Sequence, residues 1–138
     1  MDKKVDIHKA GGILIRDRKF LVSRSRGKDF FISPGGKLNP RETSEEALAR
    51  ELNEELGVKI LLQDLEKFGV FYAPATGQES KFLQLDVFLV HRWGGVAQPK
   101  GEIEEIMWID SLVSDGIKLG SIFQREVLPR LKNEGLID

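Results

Sequence analysis

Short apolar runs separated by turn-forming residues make up most of the chain, and a helical period replaces them at one clear place. Gly12 to Arg16 and Phe20 to Ser25 are apolar-rich, β-prone runs, and Arg16-Asp17-Arg18-Lys19 between them predicts a hairpin. Phe30-Phe31-Ile32 predicts a third short strand. It leads into Ser33-Pro34-Gly35-Gly36, a predicted loop whose paired glycines allow a ligand to approach the backbone closely. Val58 to Leu62 and Phe68 to Tyr72 have strand composition, followed by turn-rich Ala73 to Gln78 and then a long strand over Lys81 to Val90. A last strand is expected around Ile106 to Ile109. Ile122, Val127 and Leu131 are spaced for a C-terminal helix that Pro129 interrupts. No repeat, low-complexity tract or linker divides the chain, so a single domain over residues 1–138 is expected.

The helical period falls within GKLNPRETSEEALARELNEELGV, Gly36 to Val58. Thr43 with Glu46 reads as a capping box, Glu45 and Glu46 suit a helix N-terminus, and Gly57 is placed to terminate the helix. Leu48, Leu52 and Leu56 form an apolar stripe that must pack on a sheet. Beside it, Glu51, Glu54 and Glu55 are spaced i, i+3, i+4, so their carboxylates leave one face and repel by a few tenths of a kcal/mol per pair. A divalent cation would offset that repulsion. Mg²⁺, or Mn²⁺, takes oxygen ligands and is completed by waters and substrate phosphates. Periodicity alone gives an α+β or three-layer domain.

The same stretch resembles the Nudix box, G-x5-E-x7-R-E-U-x-E-E-x-G-U with U a bulky aliphatic. It matches at Gly36, Glu42, Arg50, Glu51, Leu52, Glu54, Glu55, Gly57 and Val58. The resemblance implies an α+β Nudix fold, a mixed sheet sandwiched between helices, and water attack on phosphorus in a nucleoside diphosphate linked to another group. By motif position it implies that Glu54 and Glu55 are the principal metal ligands, that Glu51 binds metal or acts as general base, and that Arg50 orients Glu51. The Gly35 carbonyl is a further ligand candidate, and Glu42 is expected to support the box through polar contacts. A ligand outside the box is frequent in the family. A glutamate six residues before a tryptophan selects Glu102, with Glu105 as runner-up, in GEIEEIMW ahead of Trp108.

Charge and composition narrow the substrate only slightly. With 138 residues, 41% of them hydrophobic, the chain has enough apolar content for one core, and a formal net charge of -1 gives no global field for nucleic-acid polymers. A polyanion must be met locally. Lys37 follows the paired glycines and can reach phosphate, while Arg24, Arg26 and Lys28 are placed for an anion-attracting rim. Phe30, Phe31, Phe71 and Tyr72 are candidates for a base pocket, against the commoner role of strand aromatics in a core. Trp108 is expected in the core, and His8 and His91 lack any paired ligand spacing.

The absence of cysteine rules out disulfides and thiolate metal sites, and no segment has the apolar length of a signal core or membrane span. A cytoplasmic protein without membrane association is expected, acting on a small-molecule nucleotide. Pro74, sixteen positions after Val58, is a marker seen in Nudix hydrolases that cleave ADP-ribose. The short chain without an extra N-terminal segment looks instead like the MutT-type group, which releases a nucleoside monophosphate and pyrophosphate. ADP-ribose or another nucleotide-sugar conjugate is the alternative. A non-catalytic nucleotide sensor is a third reading, disfavoured because every box carboxylate is kept.

Overall fold

The computed structural model describes residues 4–75 and 78–138. Seven strands form two sheets. The first has the order β4-β1-β6-β5, from β1 (Ile7–Ile13), β4 (Gly35–Lys37), β5 (Leu65–Ala75) and β6 (Gln78–Val90). The second runs β2-β3-β7, from β2 (Ile15–Arg16), β3 (Lys19–Ser25) and β7 (Ile103–Ile109). Strands β1 and β6 are parallel, and the other pairs are antiparallel, so the first sheet is mixed.

The expected hairpin forms. Asp17 and Arg18 take φ of 53° and 61°, the left-handed pair that a two-residue turn needs to match strand twist. Arg18 reaches the C-terminus, donating to the Asp138 carboxylate at 2.5 Å and to the Gly135 carbonyl at 3.0 Å.

Helix α1 (Ser44–Leu56) begins and ends as its sequence dictates. The Thr43 hydroxyl accepts from the Glu46 N–H while the Glu46 carboxylate accepts from the Thr43 N–H, and Gly57 closes the helix at φ 71°. Ala47, Leu48, Leu52 and Leu56 are fully buried against Leu14, Leu21, Val58, Phe88 and Val90. A Cβ on Gly12 would lie 3.3 Å from both Leu48 and Val90, so this glycine lets the helix sit close on β1.

The larger apolar cluster fills the opposite side of the sheets, where Ile13, Phe20 and Val87 meet Phe123, Val127 and Leu131. Those last residues come from a π-helical turn (Phe123–Val127) running into α2 (Leu128–Asn133). Pro129 has no N–H to donate and sits in the first turn of α2, so the chain stays helical with a wide turn before the proline. The sheets thus lie between α1 and the C-terminal helical segment, the sandwich that the family resemblance implied.

Three sequence expectations are corrected. Phe31 and Ile32 make only isolated bridges, to Leu119 and Ser23, because no continuous partner edge runs beside Phe30-Phe31-Ile32. Gly35 and Gly36 are strand rather than loop, paired to Gly11 and Ala10. Val58 to Leu62 is no strand, since only Lys59 bridges, to Gly94, before a 3-10 turn at Leu62–Asp64. Of the expected turn at Ala73 to Gln78, Ala73 to Ala75 end β5 and Gln78 begins β6, while Thr76 and Gly77 lie outside the described residues. Among the described residues no helix is long and apolar enough to cross a membrane.

Candidate active site

The two glycines of β4 determine how closely the sheet meets the acidic face of α1. Gly35 has φ 151°, and a Cβ there would fall 2.0 Å from the Ala10 carbonyl oxygen. On Gly36 a Cβ would fall 2.5 Å from the Glu51 carboxyl carbon. Only glycine permits both approaches. The Glu51 carboxylate therefore rests directly on backbone, and the Gly35 N–H donates to Glu55 Oε1 at 3.0 Å. Gly35 thus turns its N–H toward the helix.

Arg50 organises the row of carboxylates. Its guanidinium donates through Nε and Nη2 to both Glu42 oxygens at 2.7 and 2.8 Å, and through Nη2 to the Lys37 carbonyl at 3.0 Å. Nη1 reaches Glu51 at 2.8 Å and Glu54 at 3.4 Å. Glu42 in turn accepts from the Asn39 N–H at 2.8 Å. Such a fork fixed on a carboxylate and a main-chain carbonyl is no ordinary surface ion pair. It joins the loop before α1, strand β4 and the helix itself.

The ionisation of the row follows from this geometry. Hydrogen bonds from Arg50 and then Asn39 hold the Glu42 carboxyl down at about 2. Burial raises Glu51 despite the bond from Arg50. Glu55 is pushed up to about 8, by burial first and then by the charges of Glu51 and Glu54, with the Gly35 N–H opposing. Among the described residues no three acidic or histidine side chains close round one point. Glu51, Glu54 and Glu55 instead present a row of hard oxygen donors with one guanidinium to balance them. That donor set fits a hard divalent cation completed by substrate oxygens.

A cavity of about 170 Å³ opens beside β4, lined by Gly35, Gly36, Lys37, Lys9, Phe30 and Pro74 among others. Against this geometry, residues 6–131 match the family described as the NUDIX domain. The chain belongs to that family. It is 36% identical over 121 residues to a Haemophilus influenzae protein named 8-oxo-dGTP diphosphatase, with 83% of each chain covered. It is 35% identical over 98 residues to a Proteus vulgaris protein of the same name, covering 67% of this chain and 82% of that one. The MutT protein from Methanosarcina mazei superposes with a TM-score of 0.75 at 22% identity, over 98% and 99% of the two chains, a likeness of fold.

The residues flanking the Nudix box divide. Lys37 lines the cavity and is exposed. Arg24 does not line it. Its guanidinium donates to the Lys28 carbonyl at 3.0 Å and pairs with Glu105 at 3.3 Å and Glu104 at 3.5 Å, as the β3–β7 register dictates. Glu105 is thereby paired with Arg24. Arg26 is exposed and also off the cavity, its N–H donating to the Glu102 carbonyl at 2.7 Å. Glu102 itself is exposed. The segment just before it lies on the last turn of α1, where the Gln98 and Lys100 N–H groups donate to the Leu56 and Glu55 carbonyls. These donors satisfy helix-end acceptors and hold the chain on the last turn of α1 just ahead of Glu102.

Of the aromatics, Phe30 lines the cavity, whereas Phe31 is core, Phe71 packs on the core and Tyr72 is exposed and stacked on Phe82. Trp108 stacks on Trp93 beside the α1 cluster. His8 bonds the buried Asp86 at 2.7 Å, and His91 bonds Glu66 on the surface at 2.7 Å. Asp86 also accepts from Ser44 and from Gln84, tying the start of α1 to the sheet. Burial would raise its carboxyl, but the bonds from Ser44, Gln84 and His8 outweigh it and hold Asp86 low.

Sequence reasoning missed Lys9 and Ser33 as cavity residues and placed Lys28 only on a rim. The signal for Lys9 was present: Ile7, Lys9, Gly11 and Ile13 alternate along one face of β1, with a lysine where an apolar residue belongs.

Proposed function

We propose that the chain is a single-domain, cytoplasmic, Mg²⁺-dependent nucleotide pyrophosphohydrolase of MutT type, with Mn²⁺ as a substitute. It converts a (deoxy)nucleoside triphosphate and water to the monophosphate and pyrophosphate. The observation that carries this reading is the Arg50-fixed row of Glu51, Glu54 and Glu55, seated on Gly35-Gly36 at the edge of a cavity holding exposed Lys37. The names of the curated relatives point to the same substrate class.

Glu54 and Glu55 would hold the cation, with Glu51, the Gly35 carbonyl and Glu102 as further ligands. When bound, the cation lowers the pKa of water and neutralises charge developing on phosphoryl oxygens. Glu51, half-buried and oriented by Arg50, takes the proton from the attacking water. The water oxygen bonds to phosphorus as the bridging oxygen leaves with pyrophosphate. Arg50 keeps Glu51 aimed while Glu42 keeps Arg50 in place. Lys37 meets substrate phosphate, and Arg24 and Arg26 contribute positive charge from beyond the cavity wall. No nucleic-acid polymer or membrane takes part.

Hydrolysis of a nucleoside diphosphate conjugate such as ADP-ribose is the second reading, favoured by Pro74 lining the cavity. A phosphate-release assay with Mg²⁺ separates the two when the triphosphate panel is coupled to pyrophosphatase and ADP-ribose is coupled to alkaline phosphatase, which frees phosphate from the products AMP and ribose 5-phosphate but not from the intact conjugate. Phosphate release that requires pyrophosphatase, and is confined to triphosphates, is expected. Turnover of ADP-ribose alone would favour the second reading, and no turnover at all would favour a sensor.

A further inference from the structure

The cavity carries a charge arrangement that the carboxylate row leaves unexplained. Alternation along β1 turns Ile7, Lys9 and Gly11 to one face, and the register with β6 sets Leu83 beside Ile7 and Leu85 beside Lys9. Ile7, Leu83 and Leu85 line the cavity, so Lys9 is one ammonium in an apolar floor. Directly across the β1–β4 pair stands Lys37, a second lysine lining the same cavity. Like charges opposed on neighbouring strands destabilise a sheet, and burying an ammonium without a partner costs more still.

The Lys9 ammonium makes no hydrogen bond or ion pair with any described residue. Burial and then the charge of Lys37 keep it below the ordinary lysine range, with Glu55 pulling the other way. Ser33 adds an independent observation. It is 2% exposed, lines the cavity, and its Oγ has no hydrogen-bond partner among the described residues. Its Cβ lies 3.9 Å from where a Cβ on Gly11 would stand, one step along the face that carries Lys9. No acidic residue lines the cavity among the described residues. An unpartnered buried donor and an unpartnered, half-buried cation on one wall call for an anionic acceptor.

We propose that Lys9 and Ser33 together hold the phosphate that stays with the nucleoside, as a specificity-determining pair inside the cavity. Lys28 and Lys37 are exposed and meet the phosphates that leave, whereas the inner pair meets the anion that enters with the apolar ring. The identity of the anion rests on the nucleotide reading above, and its place rests on the cavity alone.

Calorimetric titration of the metal-free protein with the four deoxynucleoside monophosphates and their matching deoxynucleosides tests this. Wild type binds at least one monophosphate more tightly than its nucleoside. Lys9→Met weakens that monophosphate about ten-fold or more, leaves nucleoside affinity within about two-fold, and unfolds no earlier on heating. Ser33→Ala gives a smaller loss, about three-fold. Monophosphate affinity of Lys9→Met within about two-fold of wild type, an equal loss for the nucleoside, or no monophosphate binding to wild type overturns the proposal. If monophosphate binding behaves as stated and no triphosphate is hydrolysed, the hydrolase reading fails and this one stands.

Discussion

Replacing Glu55 by Gln should make the metal-free protein more stable while abolishing its activity. The Glu55 carboxyl is displaced from its ordinary value of 4.5 to about 8, chiefly by burial. The sign follows from linkage: a carboxyl whose folded pKa is raised adds no penalty while both states are protonated, below about 4.5. As pH rises from there, the unfolded chain gains by ionising and the folded protein does not, so stability falls until about pH 8 and then levels. At roughly 1.4 kcal/mol per unit the full penalty is at most about 5 kcal/mol. Glu55 is only partly buried, and solvent screening reduces the figure to about 1–3 kcal/mol. Glutamine keeps an Oε1 to accept from the Gly35 N–H and removes the charge, so Glu55→Gln escapes the penalty. Urea unfolding in EDTA should show wild type and variant alike near pH 4.5 and the variant more stable by about 1–3 kcal/mol at pH 8.5. Mg²⁺ should narrow that gap by stabilising wild type alone. A variant no more stable than wild type at pH 8.5, or a gap that shrinks as pH rises, would refute the reasoning.

Glu51→Gln should lower kcat by about two to four orders of magnitude with little change in KM, whereas a rise in KM alone would make Glu51 a ground-state ligand. Arg50→Lys loses the fork on Glu42 and the Lys37 carbonyl, so it should destabilise by about 1–3 kcal/mol and cut kcat less than Glu51→Gln does. Equal kcat losses would contradict this division of roles. Gly36→Ala places a methyl 2.5 Å from the Glu51 carboxyl carbon, so turnover should drop at least about ten-fold in a folded protein. Circular dichroism and kcat measured together check it, and full activity would free Glu51 from its seat. The rate of wild type should rise from neutral toward alkaline pH as hydroxide becomes accessible, and a steady fall to about pH 9 in folded protein would count against metal-activated water.

What the sequence made legible was mostly local. The capping box, Gly57 and the Leu48-Leu52-Leu56 stripe act within a few residues, so α1 could be placed closely from Thr43 and Glu46 alone. The hairpin at Asp17-Arg18 is likewise a two-residue matter. Partners distant in the chain were not legible. Gly35-Gly36 reads as loop until β1 is laid beside it, and Phe30-Phe31-Ile32 reads as strand although only bridges to Ser23 and Leu119 form. Arg24 looked like a phosphate-rim residue, and only the β3–β7 register shows Glu104 and Glu105 in reach of it. The adjacency of Arg50 and Glu51 made a direct contact look awkward, since their side chains leave the helix about 100° apart. The fork resolves this by anchoring on Glu42 and Lys37 O and bending one nitrogen back to Glu51.

The central claim is that the Glu51-Glu54-Glu55 row, loaded with Mg²⁺, directs water onto a phosphoanhydride bond of a nucleoside triphosphate. Phosphorus NMR of a deoxynucleoside triphosphate incubated with Mg²⁺ and wild-type protein, beside Glu54→Gln and an EDTA control, tests it most directly. The account predicts monophosphate and pyrophosphate signals growing together with wild type only. Products of diphosphate and phosphate, or undiminished turnover with Glu54→Gln or with EDTA, would contradict it.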